Sequence, residues 1–373
     1  MTLTKYRLAE LLMRNTETNV RMEYGISDVR GVLNTKAISS TKVDVSDRDL
    51  RKFLVVRPGG FIFNHRVHDR LGLGYNTSND VYIFTNDYVA FYVKPSVAKN
   101  ILSPDYLYIW FLRNEFDRYM LYKTYGSATL FFSWDNMCEL EIALPPLPVQ
   151  QKYVEIYKAM VANQQSYERG LEDLKLVCDG YIEDLRRKMP CEKLGPYIER
   201  QDIRNGKNGT KNVMGISTSK EFRIPTSKVN RDELANYKVC KPREIAFVQT
   251  THNEKVFTYA FNNTDKDIVV SSVNEVFSTK EKQLLPEYLC MFFNRTEFDR
   301  YARFNSWGSA RETFTWDDLI NVEIPIPDIR IQESLSEIYT VYKKRKANNE
   351  QLKAQIKAIC PILIQGSLVE VRE

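Results

Sequence analysis

Histidine and cysteine are the residues whose spacing could hold a metal ion or supply a nucleophile. The 373-residue chain has three histidines and six cysteines. His65 and His68 lie three residues apart, but no third metal ligand lies near them in the sequence. The cysteines form no CxxC pair, so their spacing predicts neither a zinc site nor a disulfide framework.

Motifs for nucleotide chemistry and methyl transfer are also absent from the sequence. There is no GxxxxGK phosphate-binding loop, and GLG at Gly72–Gly74 is typical of a turn. There is no Asn/Asp-Pro-Pro-aromatic string, with which an amino-methyltransferase would hold its target base. The carboxylates lack the spacing of a paired acid and base. We therefore expect no catalytic residue, no metal site and no cofactor bound by this chain.

Two polar loops carry the side-chain types that contact DNA. NHRVHDR (Asn64–Arg70) follows the strand-like GGFIF, and QTTHNEK (Gln249–Lys255) follows EIAF. Cations bind phosphates, whereas amides, guanidinium groups and hydroxyls can also bind base edges. The candidate DNA-binding residues are Arg66, His68 and Arg70 in the first loop, and Gln249, Thr250, His252, Asn253 and Lys255 in the second. At each position an ordinary solvated loop residue is the alternative.

A second candidate surface surrounds two copies of the string GSA. Its candidate residues are Ser127 and Thr129 near one copy, and Ser309 and Arg311 near the other. Because the two copies are nearly identical, phosphate contact or subunit docking is favoured over sequence reading. The basic loop Arg204–Lys211 is expected either to touch phosphates or to be a free surface turn. The net charge of +5 is compatible with a nucleic-acid partner, but only clustered charge would indicate one.

An internal duplication places these segments at matching positions. The stretch that begins at Ser103 aligns without a gap with the stretch that begins at Leu285, at an offset of 182 residues. The string EFDRY recurs as Glu115–Tyr119 and Glu297–Tyr301, and a Trp-Asp pair follows each GSA. The polar loops differ completely while their flanks agree. Divergent loops on a common scaffold are what two readers of different sequences would need.

Each half is predicted to be a mixed α/β domain followed by a long helix. Tyr106–Tyr122 predicts one amphipathic helix, and its counterpart begins at Pro286. Within EFDRY, the Phe and Tyr are expected to face the core, and the Asp and Arg to form a solvated pair.

The two long helices carry a 4-3 spacing of apolar residues that predicts a coiled coil. The seam residues are Tyr157, Met160, Tyr167, Leu171, Leu174 and Leu185 in the first helix, and Leu335, Ile338, Leu352, Ile356 and Ile359 in the second. Arg345 and Asn349 interrupt the second stripe, and polar seam residues often set register. Antiparallel packing would make a rod about 60 Å long, since roughly 40 residues rise about 1.5 Å each. A single compact bundle is the alternative.

The predicted fold class is therefore α+β, with two pseudo-twofold-related domains separated by two long antiparallel coiled-coil helices. The predicted limits are 1–148 for the first domain, 149–190 for the central helix, 191–328 for the second domain and 329–373 for the C-terminal helix.

This order of segments resembles the specificity subunit of type I restriction-modification systems. The resemblance covers essentially the whole chain, and its signatures are Ile142–Tyr157 and Ile324–Tyr339. Pro146 and Gln151 become Asp328 and Glu333 in the second copy, so the two helix starts are not expected to be equivalent.

The resemblance implies two target-recognition domains that each read one half of a bipartite, asymmetric double-stranded DNA site, with the helices as a ruler for the gap. It also implies a non-catalytic scaffold for two methyltransferase subunits and for restriction subunits. S-adenosylmethionine, ATP and Mg²⁺ would belong to those partners.

Two other functions remain open from the sequence. One is a duplicated coiled-coil adaptor for protein partners without DNA readout, and the other is an enzyme fused to recognition domains. The enzyme lacks a recognisable catalytic motif. No apolar run approaches the roughly 18 residues of a membrane span, and the N-terminus lacks the layout of a signal peptide. We therefore expect a cytoplasmic, prokaryotic protein without a membrane partner.

Overall fold

The computed structural model describes residues 3–41, 43–126, 129–207, 209–225, 229, 231–250, 256–308 and 312–371. The chain divides into two compact units. Unit 1 comprises Met1–Ser166 and Asn349–Glu373, and unit 2 comprises Tyr167–Asn348. Both units contain small sheets, short helices and part of each long helix, which confirms the predicted mixed α+β class.

Unit 1 contains twelve strands and five short helices in its described residues. The strands are β1 (Thr4–Arg7), β2 (Leu12–Asn15), β3 (Arg30–Val32), β4 (Ile38–Ser40), β5 (Leu54–Val56), β6 (Phe61–Asn64), β7 (Arg66–Val67), β8 (Leu73–Tyr75), β9 (Tyr82–Phe84), β10 (Tyr88–Val93), β11 (Leu130–Phe131) and β12 (Glu141–Leu144). The helices are α1 (Leu8–Leu11), α2 (Pro95–Asn100), α3 (Pro104–Phe111), α4 (Asn114–Lys123) and α5 (Trp134–Cys138).

The main sheet of unit 1 has the strand order β2-β10-β6-β8 and is antiparallel. Four two-stranded sheets accompany it, with the pairs β1-β12, β3-β4, β5-β9 and β7-β11. Aromatic side chains from the main sheet, such as Phe61, Phe63 and Phe91, are fully buried against Phe111 and Phe116 of the helices.

Unit 2 is built from a matching series of elements. Its strands are β13 (Cys191–Lys193), β14 (Ile198–Gln201), β15 (Gly215–Ile216), β16 (Phe222–Arg223), β17 (Lys238–Cys240), β18 (Ile245–Phe247), β19 (Tyr259–Phe261), β20 (Ile268–Val270), β21 (Glu275–Thr279) and β22 (Glu323–Pro325). The short helices are α7 (Pro286–Phe293), α8 (Thr296–Phe304) and α9 (Trp316–Ile320). The long helices are α6 (Leu147–Lys188), here the central helix, and α10 (Ile329–Val369), here the C-terminal helix.

The sheet topology of unit 1 recurs in unit 2. The main sheet has the order β14-β21-β18-β19, and the pairs β13-β22, β15-β16 and β17-β20 repeat three of the two-stranded sheets. The register is also matched, because Arg14 lies opposite Phe91 as Arg200 lies opposite Phe277. The duplication in the sequence is thus a duplication of topology.

A buried lysine in each unit ends a helix that the sequence predicted to continue. Tyr106–Tyr122 is not one helix, because α3 ends at Phe111 and α4 begins at Asn114. The carbonyl oxygen of Phe111 accepts a hydrogen bond from Lys36 Nζ at 2.6 Å instead of from an amide one turn later. In unit 2, Lys220 Nζ donates to the carbonyl oxygen of Phe293 at 2.7 Å, where α7 ends.

The same lysines correct the prediction for EFDRY. Its aspartate is not a solvated partner of the neighbouring arginine, because Lys36 Nζ lies 2.6 Å from Asp117 Oδ1 and Lys220 Nζ lies 2.8 Å from Asp299 Oδ1. Both lysines have a positive φ of 64° in the turn of a β-hairpin. Burial lowers the pKa of each lysine, against the opposing effect of its aspartate. The ion pair fastens each hairpin to the helices of its own unit.

A buried glutamine anchors both long-helix starts in the same way, although the residues beside it differ. Gln150 Nε2 donates to the carbonyl oxygens of Ile101 at 2.7 Å and Pro145 at 2.8 Å, and its Oε1 accepts from Ser103 N. Gln332 repeats this pattern with Gln283, Pro327 and Leu285. The predicted difference is also present, because Asp328 Oδ1 accepts a hydrogen bond from the backbone N–H of Arg330 at 2.9 Å, whereas Pro146 has no side-chain acceptor.

The long helices run antiparallel within each unit. In unit 1, Tyr157 packs beside Cys360, and Gln164 Nε2 donates to Asn349 Oδ1 at 3.0 Å in a buried seam. In unit 2, Cys178 and Ile182 pack in one cluster with Leu335 and Tyr339.

The predicted seam residues differ in burial. Leu171 and Leu335 are buried, whereas Tyr167 is 38% exposed. The remaining seam residues are half-buried: Tyr157, Met160, Leu174, Leu185, Ile338, Leu352, Ile356 and Ile359.

One described helix meets the length and composition criteria of a membrane span, which differs from the expectation above. The C-terminal helix contains an 18-residue window with a mean hydropathy of 1.2, of which 22% is buried. Lys and Gln interrupt the apolar residues of this helix, so the sequence contains no continuous apolar run there. A single such helix is weak evidence, since packed helices of soluble proteins meet the same criteria.

Removal of the buried lysine is expected to destabilise unit 2. Lys220→Ala leaves the Asp299 carboxylate and the Phe293 carbonyl without their cation, so we expect a loss of roughly 3–5 kcal/mol in the free energy of unfolding. Urea denaturation measures the loss. Lys282→Ala, at an exposed lysine of the same unit, is the control and is expected to change stability by less than about 0.5 kcal/mol. Equal effects of the two substitutions would contradict the anchoring role.

Candidate nucleic-acid interface

A two-stranded sheet brings the two candidate surfaces of unit 1 together. Arg66 and Val67 of β7 pair with Phe131 and Leu130 of β11, so the Asn64–Arg70 loop lies beside the chain that follows GSA. The backbone N–H of Phe132 donates to the carbonyl oxygen of His65 at 2.9 Å. The His65 ring stacks on the Phe131 ring with a centroid distance of 5.6 Å.

The side chains on either side of Val67 point to solvent while Val67 itself enters the core. Val67 is buried, whereas Arg66 and His68 are exposed, and Arg70 is half-buried. Thr129, on the neighbouring segment, is exposed as well. Burial of Val67 therefore fixes the strand while the polar residues on either side of it remain available to a ligand.

The corresponding surface of unit 2 is held in the same way. Thr250 forms a β-bridge with Thr313, and the backbone N–H of Phe314 donates to the carbonyl oxygen of Gln249 at 2.8 Å. The two main sheets place Gln249 two residues after Phe247, as His65 follows Phe63. Gln249 and His65 thus occupy equivalent positions.

A buried ionic cluster lies beneath Gln249. Glu275 accepts from Gln249 Nε2 at 2.8 Å, from Arg200 Nη2 at 2.6 Å and Nε at 2.9 Å, and from Lys238 Nζ at 3.0 Å. Glu275 and Lys238 are buried, whereas 51% of the Arg200 side chain is exposed. Burial alone would raise the pKa of Glu275, but the hydrogen bonds and charges of Arg200 and Lys238 hold it below its usual value.

Unit 1 has apolar residues at the places of Glu275 and Lys238, although Arg14 matches Arg200. Val89 lies opposite Phe63 as Glu275 lies opposite Phe247. Leu54 begins β5 as Lys238 begins β17, and each lies opposite the last residue of its partner strand. The same scaffold therefore has different chemistry under its two candidate surfaces.

Two exposed aromatic residues precede each GSA string. Tyr122 is 84% exposed and Tyr125 59%, and their counterparts Phe304 and Trp307 are 88% and 75% exposed. The glycine of each string is conformationally required, because Gly126 has φ 117° and Gly308 has φ 134°. A Cβ on Gly126 would lie 2.1 Å from the carbonyl oxygen of Thr129.

Several predicted site residues lie outside the described residues, and their placement is untested. They are Ser127, His252, Asn253, Lys255, Ser309 and Arg311. In the basic loop Arg204–Lys211, Arg204 forms an ion pair with Asp202 at 2.7 Å. Within the described ranges, no group of three or more His, Cys, Asp and Glu side chains is placed to hold a metal ion.

The predicted site residues did not include Arg200, Glu275, His65 or the exposed aromatic pairs, which the structure places at or beneath these surfaces. Arg200 and Glu275 lie 75 residues apart in the sequence, and Glu275 follows its contact Gln249 by 26 residues, so no local pattern connects them. His65 could have been found, because it occupies the place of Gln249 in the aligned halves. The exposed aromatic pairs could also have been found, since both pairs precede GSA.

The family comparison finds a match in the second half of the chain. Residues 191–358 match the family model of the type I restriction modification DNA specificity domain. No curated protein sequence matches the chain significantly.

Solved structures of low sequence identity share the fold. The S subunit of a type I restriction-modification system from M. genitalium has a TM-score of 0.58 at 8% identity, and the alignment covers 98% of this chain and 96% of that chain. A chain from a structure of the type I R-M system, solved to explain its complex assembly and conformational transition, has a TM-score of 0.48 at 14% identity, and the alignment covers 98% of each chain. The HsdS subunit from Thermoanaerobacter tengcongensis has a TM-score of 0.38 at 13% identity, covering 98% and 96%. TM-scores below 0.5 add no support.

The family match and the first of these structures agree with the duplicated topology. The resemblance to specificity subunits that the sequence predicted is confirmed, since residues 191–358 match the model of the type I restriction modification DNA specificity domain and the chain shares the fold of a solved S subunit.

Proposed function

We propose that this chain is the sequence-specific DNA-binding subunit of a type I restriction-modification complex, with one half-site of a bipartite, asymmetric DNA sequence read by each unit. The observation that carries the proposal is a repeated scaffold with different polar groups at one equivalent position. In unit 1 this position is held by His65, with Arg66 and His68 close by in the sequence. In unit 2 it is held by Gln249, whose side chain donates a hydrogen bond to Glu275. Two readers of different sequences need a common frame and divergent contact residues.

The subunit would act as a scaffold without catalysis of its own. Two methyltransferase subunits and the restriction subunits would bind S-adenosylmethionine, ATP and Mg²⁺, and the complex would work in the cytoplasm. Exposed apolar side chains on the central helix, with Leu176 at 73%, Val177 at 43% and Tyr181 at 49%, support a protein partner for this surface. These exposed residues are also compatible with the alternative function of a protein adaptor. An adaptor, however, would not need polar loops that differ between the two units.

The long helices would set the gap between the half-sites. The central helix has 42 residues and joins the β-rich part of unit 1 to that of unit 2 without interruption. A continuous helix transmits a length, because each residue adds about 1.5 Å along its axis.

Replacement of Arg66 tests the reading role of unit 1. Duplexes are selected from a random library by the complete complex carrying the wild-type chain, Arg66→Ala, or the control Arg118→Ala at an exposed helix arginine. For the wild type we expect two short sequence motifs separated by unspecified bases. For Arg66→Ala we expect discrimination to fall by about 1–3 kcal/mol at one motif only, because one base-edge contact is lost. Equal weakening on all duplexes would assign Arg66 to phosphate binding, and a wild type that enriches no sequence would contradict the proposed function.

Lengthening the central helix tests the ruler. Insertion of seven residues after Glu172 is matched by a seven-residue insertion in the C-terminal helix after Ala347, to keep the helices paired. About 10 Å of added helix should lengthen the preferred gap by roughly three base pairs and leave both motifs unchanged. Selection of duplexes measures the gap, and an unchanged gap in the folded variant would contradict the ruler.

A further inference from the structure

Gln249 is held at both its backbone and its side chain, unlike a solvated loop residue. Its carbonyl oxygen accepts from Phe314 N at 2.8 Å, and its side-chain Nε2 donates to Glu275 Oε1 at 2.8 Å. The residue is only half-buried. A ligand could therefore reach an amide whose position is already fixed.

The partner of this amide can only accept hydrogen bonds. Arg200 and Lys238 lie at hydrogen-bonding distance from the Glu275 carboxylate and favour its ionised form. An ionised carboxylate has no proton to donate. The amide of Gln249 must consequently turn its nitrogen toward Glu275, because the flipped orientation would bring its Oε1 against a carboxylate oxygen.

This constraint decides which groups Gln249 can offer to a ligand. One N–H is engaged by Glu275, and the remaining groups are the Oε1 acceptor and the second N–H donor. In the major groove, adenine offers the complementary pair, an N6 amino donor and an N7 acceptor. A guanine edge offers two acceptors and cannot satisfy Oε1.

We propose that Gln249 reads an adenine in the half-site bound by unit 2, and that Glu275, with Arg200 and Lys238, is a positioning group that determines this specificity. The inference rests on the proposed function and adds the base class and the means of selection. Unit 1 has Val89 and Leu54 at the places of Glu275 and Lys238, so it lacks this positioning group. Its half-site would be read by other side chains.

Base analogues test the contact itself. After the two motifs are known, each adenine of the unit 2 half-site is replaced in turn by purine, which lacks the N6 amino group, or by 7-deazaadenine, which lacks N7. We expect both analogues to weaken binding at one adenine, within a range of about 5- to 150-fold. Gln249→Ala should remove that penalty at the same position and nowhere else. Sequence-specific binding without such an adenine would overturn the inference and leave the proposed function standing, whereas absence of sequence-specific binding would overturn the function.

The residues of unit 1 that match Lys238 and Glu275 suggest a variant that tests whether Glu275 positions Gln249. Lys238→Leu combined with Glu275→Val installs the residues of unit 1, and replacement of a buried ion pair by apolar residues is often neutral for stability. We expect a folded chain that keeps its discrimination at the unit 1 motif and loses most of its preference for adenine at the Gln249 position. An unchanged preference would overturn the role of Glu275.

Glu275→Gln keeps the test decisive if the double variant fails to fold. A neutral amide can donate or accept, so Gln249 can then adopt either orientation. We expect the preference for adenine over other bases to narrow at that one position, and the thermal midpoint to fall because the buried Lys238 loses its charged partner. A purely structural role for Glu275 predicts the same lower midpoint with the base preference intact.

Discussion

The rest of the fold depends on the ion pair that a buried lysine forms with an aspartate in each unit. Lys36 and Lys220 bring a charge into the core, where desolvation is costly unless the charge is paired. Each satisfies this demand with an EFDRY aspartate and with the last carbonyl of a helix. One side chain thereby ends the helix, fixes the next one and fastens a β-hairpin beside them. The glutamines Gln150 and Gln332 then attach a long helix to each frame.

Such buried polar anchors explain how the two halves could diverge at their surfaces. The anchors recur at matched positions and specify the frame, so the loops between them are free to change. The Asn64–Arg70 loop and the segment after Phe247 differ in most of their polar residues, with a histidine shared at His68 and His252, yet each is hydrogen-bonded to the chain that follows its GSA string. Beneath these loops the difference extends to the interior, where Val89 is matched by Glu275.

Much of the architecture could be predicted from the sequence because it repeats. The repeat at an offset of 182 residues and the strand-like segments predicted the two mixed units, and the heptads predicted the long helices. The helix break after Phe111 could not be predicted, since its cause is a lysine 75 residues away. The aspartate of EFDRY was misread for the same reason. At the candidate site, Gln249 could be predicted because it lies in a polar loop after a strand. Glu275 and Arg200 could not, because only the pairing of β14, β18 and β21 brings them to Gln249.

The central claim is that the two units are interchangeable readers on one frame. A chain in which residues 191–328 are replaced by a second copy of residues 1–148 tests it most directly, with duplex selection by the assembled complex as the measurement. The account predicts that the asymmetric site becomes two copies of the unit 1 motif, separated by an unspecified gap. Selection of the original asymmetric site, or of a sequence that contains the unit 1 motif only once, would contradict it.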